Sequence, residues 1–141
     1  MVDPDIIYAK IGIIKRCFKR IEQTTELNEN SLNDIDKQDI FVLNLQRAIQ
    51  ATIDLSAHVI ASEGFGMPQE LKDNFRFLKE QNIITEELTT KMEKMIGFRN
   101  IAVHEYQEIN NEILKVILKK NLIDIEDFYV AIVKYFRLGN G

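Results

Sequence analysis

The chain has 141 residues, of which 45% are hydrophobic and 28% charged, with 6 glycines and 2 prolines. These values are typical of a folded globular domain, and they exclude a disordered chain, a collagen-like repeat and a disulfide scaffold. The 18 basic and 22 acidic side chains give a net charge of −4. This balance argues against a general nucleic-acid coater, although a local basic patch is compatible with it.

Cysteine and histidine usage limits the chemistry and the location of the chain. Cys17 is the sole cysteine, so no internal disulfide can form, and the chain has two histidines, far from it in sequence. A tetrahedral zinc site draws mainly on these residue types, so we predict no metal and no cofactor. Asp3 and Asp5 stand where a secretory signal would be basic, and no apolar segment approaches the roughly 20 residues of a membrane span. We therefore expect a cytoplasmic protein without membrane association.

Apolar spacing predicts helices in the first half of the chain. Residues 6–23 carry isoleucines and Phe18 at three- and four-residue steps, which is typical of a helix. Residues 24–34 are polar and are predicted to form a loop. A second helix over residues 35–62 would be about 40 Å long at 1.5 Å per residue. Gly64 should end it, because glycine readily adopts the backbone conformation of a helix C-cap.

Helices are also predicted in the second half. Pro68 indicates the start of a third helix that continues to about residue 80, since its missing N–H is harmless at the first helical position. Thr85 should cap a fourth helix that extends past His104 and has acidic residues in its first turn. A further segment should begin at residues 110–111, and the last helix should cover about residues 123–138.

These elements define the predicted fold class. The sequence contains no internal repeat, no low-complexity tract and no linker between domains. We therefore predict one all-α domain over residues 1–141, an antiparallel bundle of four to six helices.

Arg99 does not fit an ordinary amphipathic helix. On a helical wheel of the fourth helix it falls about 20° from the centre of an apolar stripe, and Tyr106 falls on that centre. The stripe consists of Leu88, Met92, Met95, Ile96, Ala102 and Val103. A buried guanidinium needs a partner, for which Asp54 on the second helix is a candidate, whereas a helix break near Gly97 would invalidate the wheel. In the functional interpretation, Arg99 faces a cleft or subunit interface and binds phosphate with its planar fork.

Together with a phosphate-binding Arg99, Asn100 and His104 suggest a chemical reaction. They lie four residues apart and share a helix face, turned about 100 to 140° from Arg99. His104 could take the proton of a ribose 2′-OH that attacks the neighbouring phosphorus, while Arg99 stabilises the developing charge without a metal. A two-fold dimer would supply a second copy of both residues and so both a base and an acid. The spacing R-x4-H is by itself a weak pattern.

Residues 97–106, GFRNIAVHEY, resemble the R-x4-H-x-Y signature of HepT-like proteins of the HEPN superfamily. The resemblance covers nearly the whole chain in order. It includes IIKRC at residues 13–17, LNLQRA at 43–48, Asp54, His58, GMP at 66–68, Phe75 and Leu78. It implies an all-α HEPN-like bundle that forms a homodimer, with the two motifs meeting in a cleft at the interface.

The resemblance also implies an activity and its control. HepT-like proteins are metal-independent ribonucleases and usually toxins of prokaryotic toxin–antitoxin pairs. The resemblance makes RNA the substrate and Arg99 and His104 the required residues, and we add Asn100 as the third candidate catalytic residue. The cognate antitoxin is a small nucleotidyltransferase that uses ATP and magnesium to transfer AMP onto the motif tyrosine, here Tyr106. Two helical turns would separate Tyr106 from Arg99 by about 10 Å, so the attached AMP would compete with RNA for Arg99. The alternative is a catalytically inactive nucleotide-binding or scaffold partner of a nucleotidyltransferase.

Several residues also have ordinary structural interpretations. Tyr106 could be a core aromatic with a satisfied hydroxyl. Asp54 and His58 could form a second functional pair, but an intrahelical contact is the commoner arrangement at this spacing. Cys17 is predicted to be a small buried hydrophobe. The basic run over residues 10–20 could hold RNA, or it could be a solvated helix face.

Overall fold

Residues 1–139 are described by the computed structural model, and within them every regular element is helical. The α-helices are α1 (Pro4–Thr25), α2 (Ile35–Glu63), α3 (Asp73–Glu80), α4 (Glu86–His104), α5 (Asn111–Val116) and α6 (Leu122–Tyr135). Short 3-10 turns at Glu29–Asn33 and Tyr106–Glu108 and a π-helical segment at Ile117–Asn121 lie between them. The all-α prediction is confirmed, and residues 140 and 141 of the predicted domain lie outside the described residues.

The two longest helices, α1 and α2, are antiparallel neighbours. The ammonium group of Met1 donates to the carbonyl of Ser62 at 2.6 Å, and the N–H of Asp3 donates to Nε2 of His58 at 3.0 Å. The start of α1 therefore lies beside the end of α2. His58 has a structural role there, because within the described residues its ring nitrogens face Asp3 and Ser62 and not Asp54.

Capping residues determine most helix boundaries. The carboxylate of Asp3 caps α1 and Pro4 takes its first position, so α1 begins two residues earlier than predicted. Gly64 ends α2 with a left-handed φ of 68°, as predicted. Thr85 caps α4, its hydroxyl accepting the N–H of Leu88 at 3.1 Å, as predicted.

The prediction that Pro68 begins a helix is wrong. α3 begins at Asp73, and Pro68 lies in the irregular segment before it. One carboxylate oxygen of Asp73 accepts the N–H groups of Gln69 at 2.9 Å and Glu70 at 3.0 Å. These two hydrogen bonds stabilise a turn where the proline rule alone predicts the first turn of a helix.

The prediction that the fourth helix continues past His104 is also wrong. α4 ends at His104, Glu105 leaves the helical conformation with φ −140° and ψ 50°, and Tyr106 begins a 3-10 turn. The helical wheel therefore does not apply to Tyr106, and the prediction that Tyr106 lies two helical turns from Arg99 on the same face is wrong. The last helix likewise ends at Tyr135 and not at residue 138.

The core lies between α2 and the other helices. Phe75 of α3 and Phe128 of α6 are fully buried and pack edge to face, with ring centroids 5.4 Å apart. α4 packs against α2 and α6 through its buried residues Met92, Met95, Ile96, Phe98 and Ala102. This packing fixes the C-terminal half of α4 beside the middle of α2. Within residues 1–139, no helix is both long and apolar enough to cross a membrane.

Candidate functional site

The last two turns of α4 carry three of the four predicted site residues, Arg99, Asn100 and His104. The helix is continuous through Gly97, so the suspected break is absent. Arg99 and His104 therefore lie about 7.5 Å apart along the axis and about 140° apart around it. Tyr106 is outside the helix, in the 3-10 turn that follows.

Arg99 is held by neutral amides. Its Nη2 donates to Oε1 of Gln50 on α2 at 3.0 Å, and its Nη1 donates to Oδ1 of Asn100 at 3.1 Å. The Nε atom is buried and has no hydrogen-bond partner within residues 1–139. No described carboxylate forms an ion pair with the guanidinium, so its positive charge is not neutralised by a described side chain, and its buried Nε–H donor is unused.

Asp54 is not the direct partner of Arg99, so the expected core ion pair is absent. The Oδ1 of Asp54 accepts from Nε2 of Gln50 at 2.9 Å, and its Oδ2 lies 3.5 Å from Nζ of Lys10. Gln50 thus links the two charged groups, since its amide N–H faces the carboxylate and its carbonyl faces the guanidinium. Gln50 was not predicted as a site residue, although its i, i+4 spacing to Asp54 was the available signal.

His104 is exposed at the C-terminal end of α4. Its imidazole makes no hydrogen bond within the described part of the chain. It lines a shallow groove of about 690 Å³ with Val103, Glu105, Tyr106, Gln107 and Glu108. An exposed imidazole without a protein partner is accessible to a bound substrate. Within residues 1–139, no three His, Cys, Asp or Glu side chains form a group that could hold a metal ion.

Tyr106 is 42% exposed and not a core aromatic, so that interpretation is wrong. Its hydroxyl donates a hydrogen bond to Oδ1 of Asp39 on α2. Burial of the phenol, this hydrogen bond and the charge of Asp39 together raise the pKa of Tyr106 to about 12. Asp39 is a second site residue that the sequence analysis missed.

One face of α2 holds both ends of the motif. Asp39 contacts Tyr106 and Gln50 contacts Arg99. These two α2 residues are eleven positions apart, about 16 Å along the axis and about 20° around it. If α4 continued through Tyr106, Tyr106 and Arg99 would be about 10 Å apart. Their partners on α2, Asp39 and Gln50, are farther apart than that.

The sequence is similar to a known group of ribonucleases. A model of the family described as ribonuclease HepT-like matches residues 14–132. The chain is 43% identical over 124 residues to the mRNA nuclease HepT of Shewanella oneidensis, which covers 88% of this chain and 93% of that protein. It is 27% identical over 118 residues to the tRNA nuclease HepT of Aphanizomenon flos-aquae, covering 82% of this chain and 80% of that protein.

The fold is similar to that of a solved toxin. The tri-AMPylated Shewanella oneidensis HEPN toxin, in complex with MNT antitoxin, superposes with a TM-score of 0.87 at 41% sequence identity. The match covers 92% of this chain and 98% of that one. The HEPN-like helical architecture expected from the sequence is therefore confirmed.

Proposed function

The chain belongs to the ribonuclease HepT-like family, and from this premise we propose that it is a homodimeric, metal-independent RNA endonuclease. It acts in the cytoplasm as the toxin of a toxin–antitoxin pair. The observation that carries the proposal is the state of Arg99. Its guanidinium has no carboxylate partner within residues 1–139 and keeps a buried, unused Nε donor, on the same helix as the exposed His104. Such a group suits an anionic ligand.

The proposed reaction uses His104 as the proton acceptor. Neutral imidazole takes the proton of a ribose 2′-OH, and the oxygen attacks the adjacent phosphorus. The bond from phosphorus to the 5′-oxygen of the next nucleotide breaks, which leaves a cyclic phosphate and a 5′-hydroxyl. Arg99, oriented by Gln50 and Asn100, donates to the non-bridging oxygens as negative charge develops on them.

A second copy of the chain would provide the acid for the leaving oxygen. Ile101, Val103 and Tyr106 are exposed around His104, which gives this end of α4 an apolar surface typical of an interface. A two-fold axis through that surface would bring two copies of Arg99 and His104 into one cleft. One imidazole then acts as base while the other, protonated, acts as acid.

A cognate nucleotidyltransferase would switch the enzyme off by AMPylation of Tyr106. The exposed side chain of Tyr106 supports this assignment, as does the AMPylated state of the structurally similar toxin. The attached nucleotide adds negative charge and bulk on the face of α2 that also holds Gln50 and Arg99. It would compete with an RNA phosphate for Arg99 and obstruct access to the cleft.

The experiment that tests the proposed function is RNA cleavage by the purified, unmodified protein in EDTA. We expect cleavage by the wild type and a loss of about 100-fold or more in His104→Ala. The matched control is His58→Gln, which changes the other histidine, keeps an acceptor near Asp3 and should remain active. Arg99→Ala should also lose activity. The unfolding free energy of Arg99→Ala should differ from that of the wild type by only about 1 kcal/mol. If Arg99 were one partner of a buried ion pair, its removal would instead lower this free energy by about 3–5 kcal/mol.

Two results would contradict the proposal. One is full activity of His104→Ala, which would place the chemistry elsewhere. The other is a folded, unmodified wild-type dimer that leaves RNA intact. That second result would favour the catalytically inactive partner of a nucleotidyltransferase.

A further inference from the structure

A groove between α1 and α2 presents three arginines. It has a volume of about 420 Å³ and contains Arg16 and Arg20 from α1 and Arg47 from α2. The other lining residues are Ile13, Cys17, Ile40, Leu43 and Asn44, so no acidic side chain lines it. We call this feature, defined by Arg16, Arg20 and Arg47, the arginine groove.

The charges of the arginine groove are uncompensated. None of its three guanidiniums forms an ion pair or a hydrogen bond within residues 1–139, whereas Arg76 is paired with Glu93 at 3.0 Å. Three other surface grooves each include at least one glutamate. In a chain with more acidic than basic residues, a groove without any acid is a local exception that favours an anionic ligand.

Two of the three arginines, Arg16 of α1 and Arg47 of α2, line the same groove as a buried thiol. The thiol of Cys17 is buried and belongs to the lining of the groove, and burial raises its pKa. The charges of Arg47 and Arg16 act on that pKa in the opposite direction. The tertiary fold therefore joins the basic run of α1 to a basic residue of α2 in one groove.

The arginine groove adjoins the candidate cleavage site. Arg47 precedes Gln50, the partner of Arg99, by three residues, which is less than one helical turn or about 4.5 Å along α2. It also lies between Asp39 and Gln50 in the sequence of the helix. A strand that leaves the groove and crosses α2 at Arg47 would reach the residues that hold Arg99.

We propose that the arginine groove binds the phosphate backbone of the RNA substrate next to the cleavage site, an inference that rests on the proposed function. Arginine forks bind phosphate through paired, charge-assisted hydrogen bonds. Arg16 and Arg20 are separated by about 6 Å along α1, comparable with the distance between successive phosphates of an extended strand. No aromatic residue lines the groove for base stacking, so this contact should tolerate different sequences.

The test measures RNA affinity in a His104→Ala background, in which the RNA stays intact. The probe is a fluorescein-labelled oligouridylate of about 20 nucleotides, followed by anisotropy at several salt concentrations. Arg16→Ala/Arg47→Ala should raise the Kd about tenfold and reduce the slope of log affinity against log salt by about 1.4, for two lost phosphate contacts. Arg16→Lys/Arg47→Lys keeps the charge and should retain the slope.

The matched control is Lys119→Ala/Lys120→Ala, which removes the same charge from the π-helical segment and should leave the Kd unchanged. Equal affinities of the double-alanine groove variant and its parent would overturn the proposal. Unchanged RNA affinity combined with loss of antitoxin binding would overturn it too, and would assign the groove to an acidic protein. Cleavage of the same RNA by the wild type in EDTA tests the proposed function separately. If the wild type cleaves, a negative result for the groove leaves the proposed function standing. A wild type that neither binds nor cleaves contradicts both.

Discussion

Arg99 and Tyr106 are both held by α2, through partners that affect them differently. Gln50 is neutral and orients Arg99 without cancelling its charge. Asp39 is acidic and accepts a hydrogen bond from the hydroxyl of Tyr106, and both this bond and its negative charge oppose formation of the phenolate. The phenolate is the stronger nucleophile towards a nucleotide phosphorus. Asp39 is therefore expected to limit the reactivity of Tyr106 until a partner displaces this contact.

We predict that Asp39→Asn lowers the pKa of Tyr106. The wild-type pKa is about 12, and the variant should fall below this but stay above the ordinary 10.0, because burial, the largest cause of the shift, remains. The phenolate will thus appear at lower pH in the variant. An ultraviolet absorbance titration against Tyr106→Phe measures this midpoint. Asp36→Asn, an exposed acid one turn earlier on α2, is the control and should leave it unchanged. Identical midpoints in wild type and Asp39→Asn would refute the assignment.

The sequence predicts the motif residues much better than their partners. Arg99, Asn100 and His104 share one helix, so spacing and resemblance suffice to group them. Gln50 is 49 residues from Arg99 and Asp39 is 67 residues from Tyr106. Nothing local in the sequence marks such contacts, because they depend on how α4 and its following turn pack against α2.

At the scale of the elements, helix boundaries marked by a capping residue, such as Gly64 and Thr85, were predicted better than the others. Thr85 provides a hydroxyl that caps α4, a signal present in the sequence. The end of α4 at His104 has no glycine or proline to mark it, and the apolar periodicity continues formally to Tyr106. The Pro68 error has a related cause, since a side-chain contact from Asp73 determines that turn.

The same substitution at two glycines should have opposite effects on stability. An added Cβ at Gly97 meets no atom within 4 Å, and the position is helical, so Gly97→Ala should raise the unfolding free energy by about 0.5–1 kcal/mol. Gly64 has φ 68°, which an L side chain rarely adopts, so Gly64→Ala should lower it by about 1 kcal/mol. Urea unfolding measures both. Destabilisation by Gly97→Ala would mean that α4 is packed or shaped differently at this position.

For the whole molecule, composition gives the net charge and apolar spacing predicted the fold class, but neither indicates how the charge is distributed. The basic run over residues 10–20 is compatible with a solvated helix face when α1 is considered alone. Packing of α1 against α2 brings Arg47 to the same groove, and this makes the charge local and unbalanced. An acidic chain can therefore present a basic surface that its composition does not reveal.

The proposed dimer would also be a property of the whole molecule, and we predict that Val103→Glu disrupts it. Val103 is 42% exposed beside His104, and a buried charge at a two-fold interface would meet its own copy. The variant should be monomeric by sedimentation velocity and should lose RNA cleavage. Val130→Glu is the matched control, since Val130 is 41% exposed on α6. A monomeric wild type with full activity would argue against a shared site.

We propose that the Arg99 and His104 site cleaves RNA without metal and that AMP on Tyr106 stops this cleavage. The most direct measurement combines intact mass with cleavage of total RNA in EDTA, for protein made alone and with a cognate nucleotidyltransferase. We predict added mass in AMP units that is absent from Tyr106→Phe, and cleavage by the unmodified form only. Equal cleavage by modified and unmodified protein, or AMP mapped to another residue, would contradict this account.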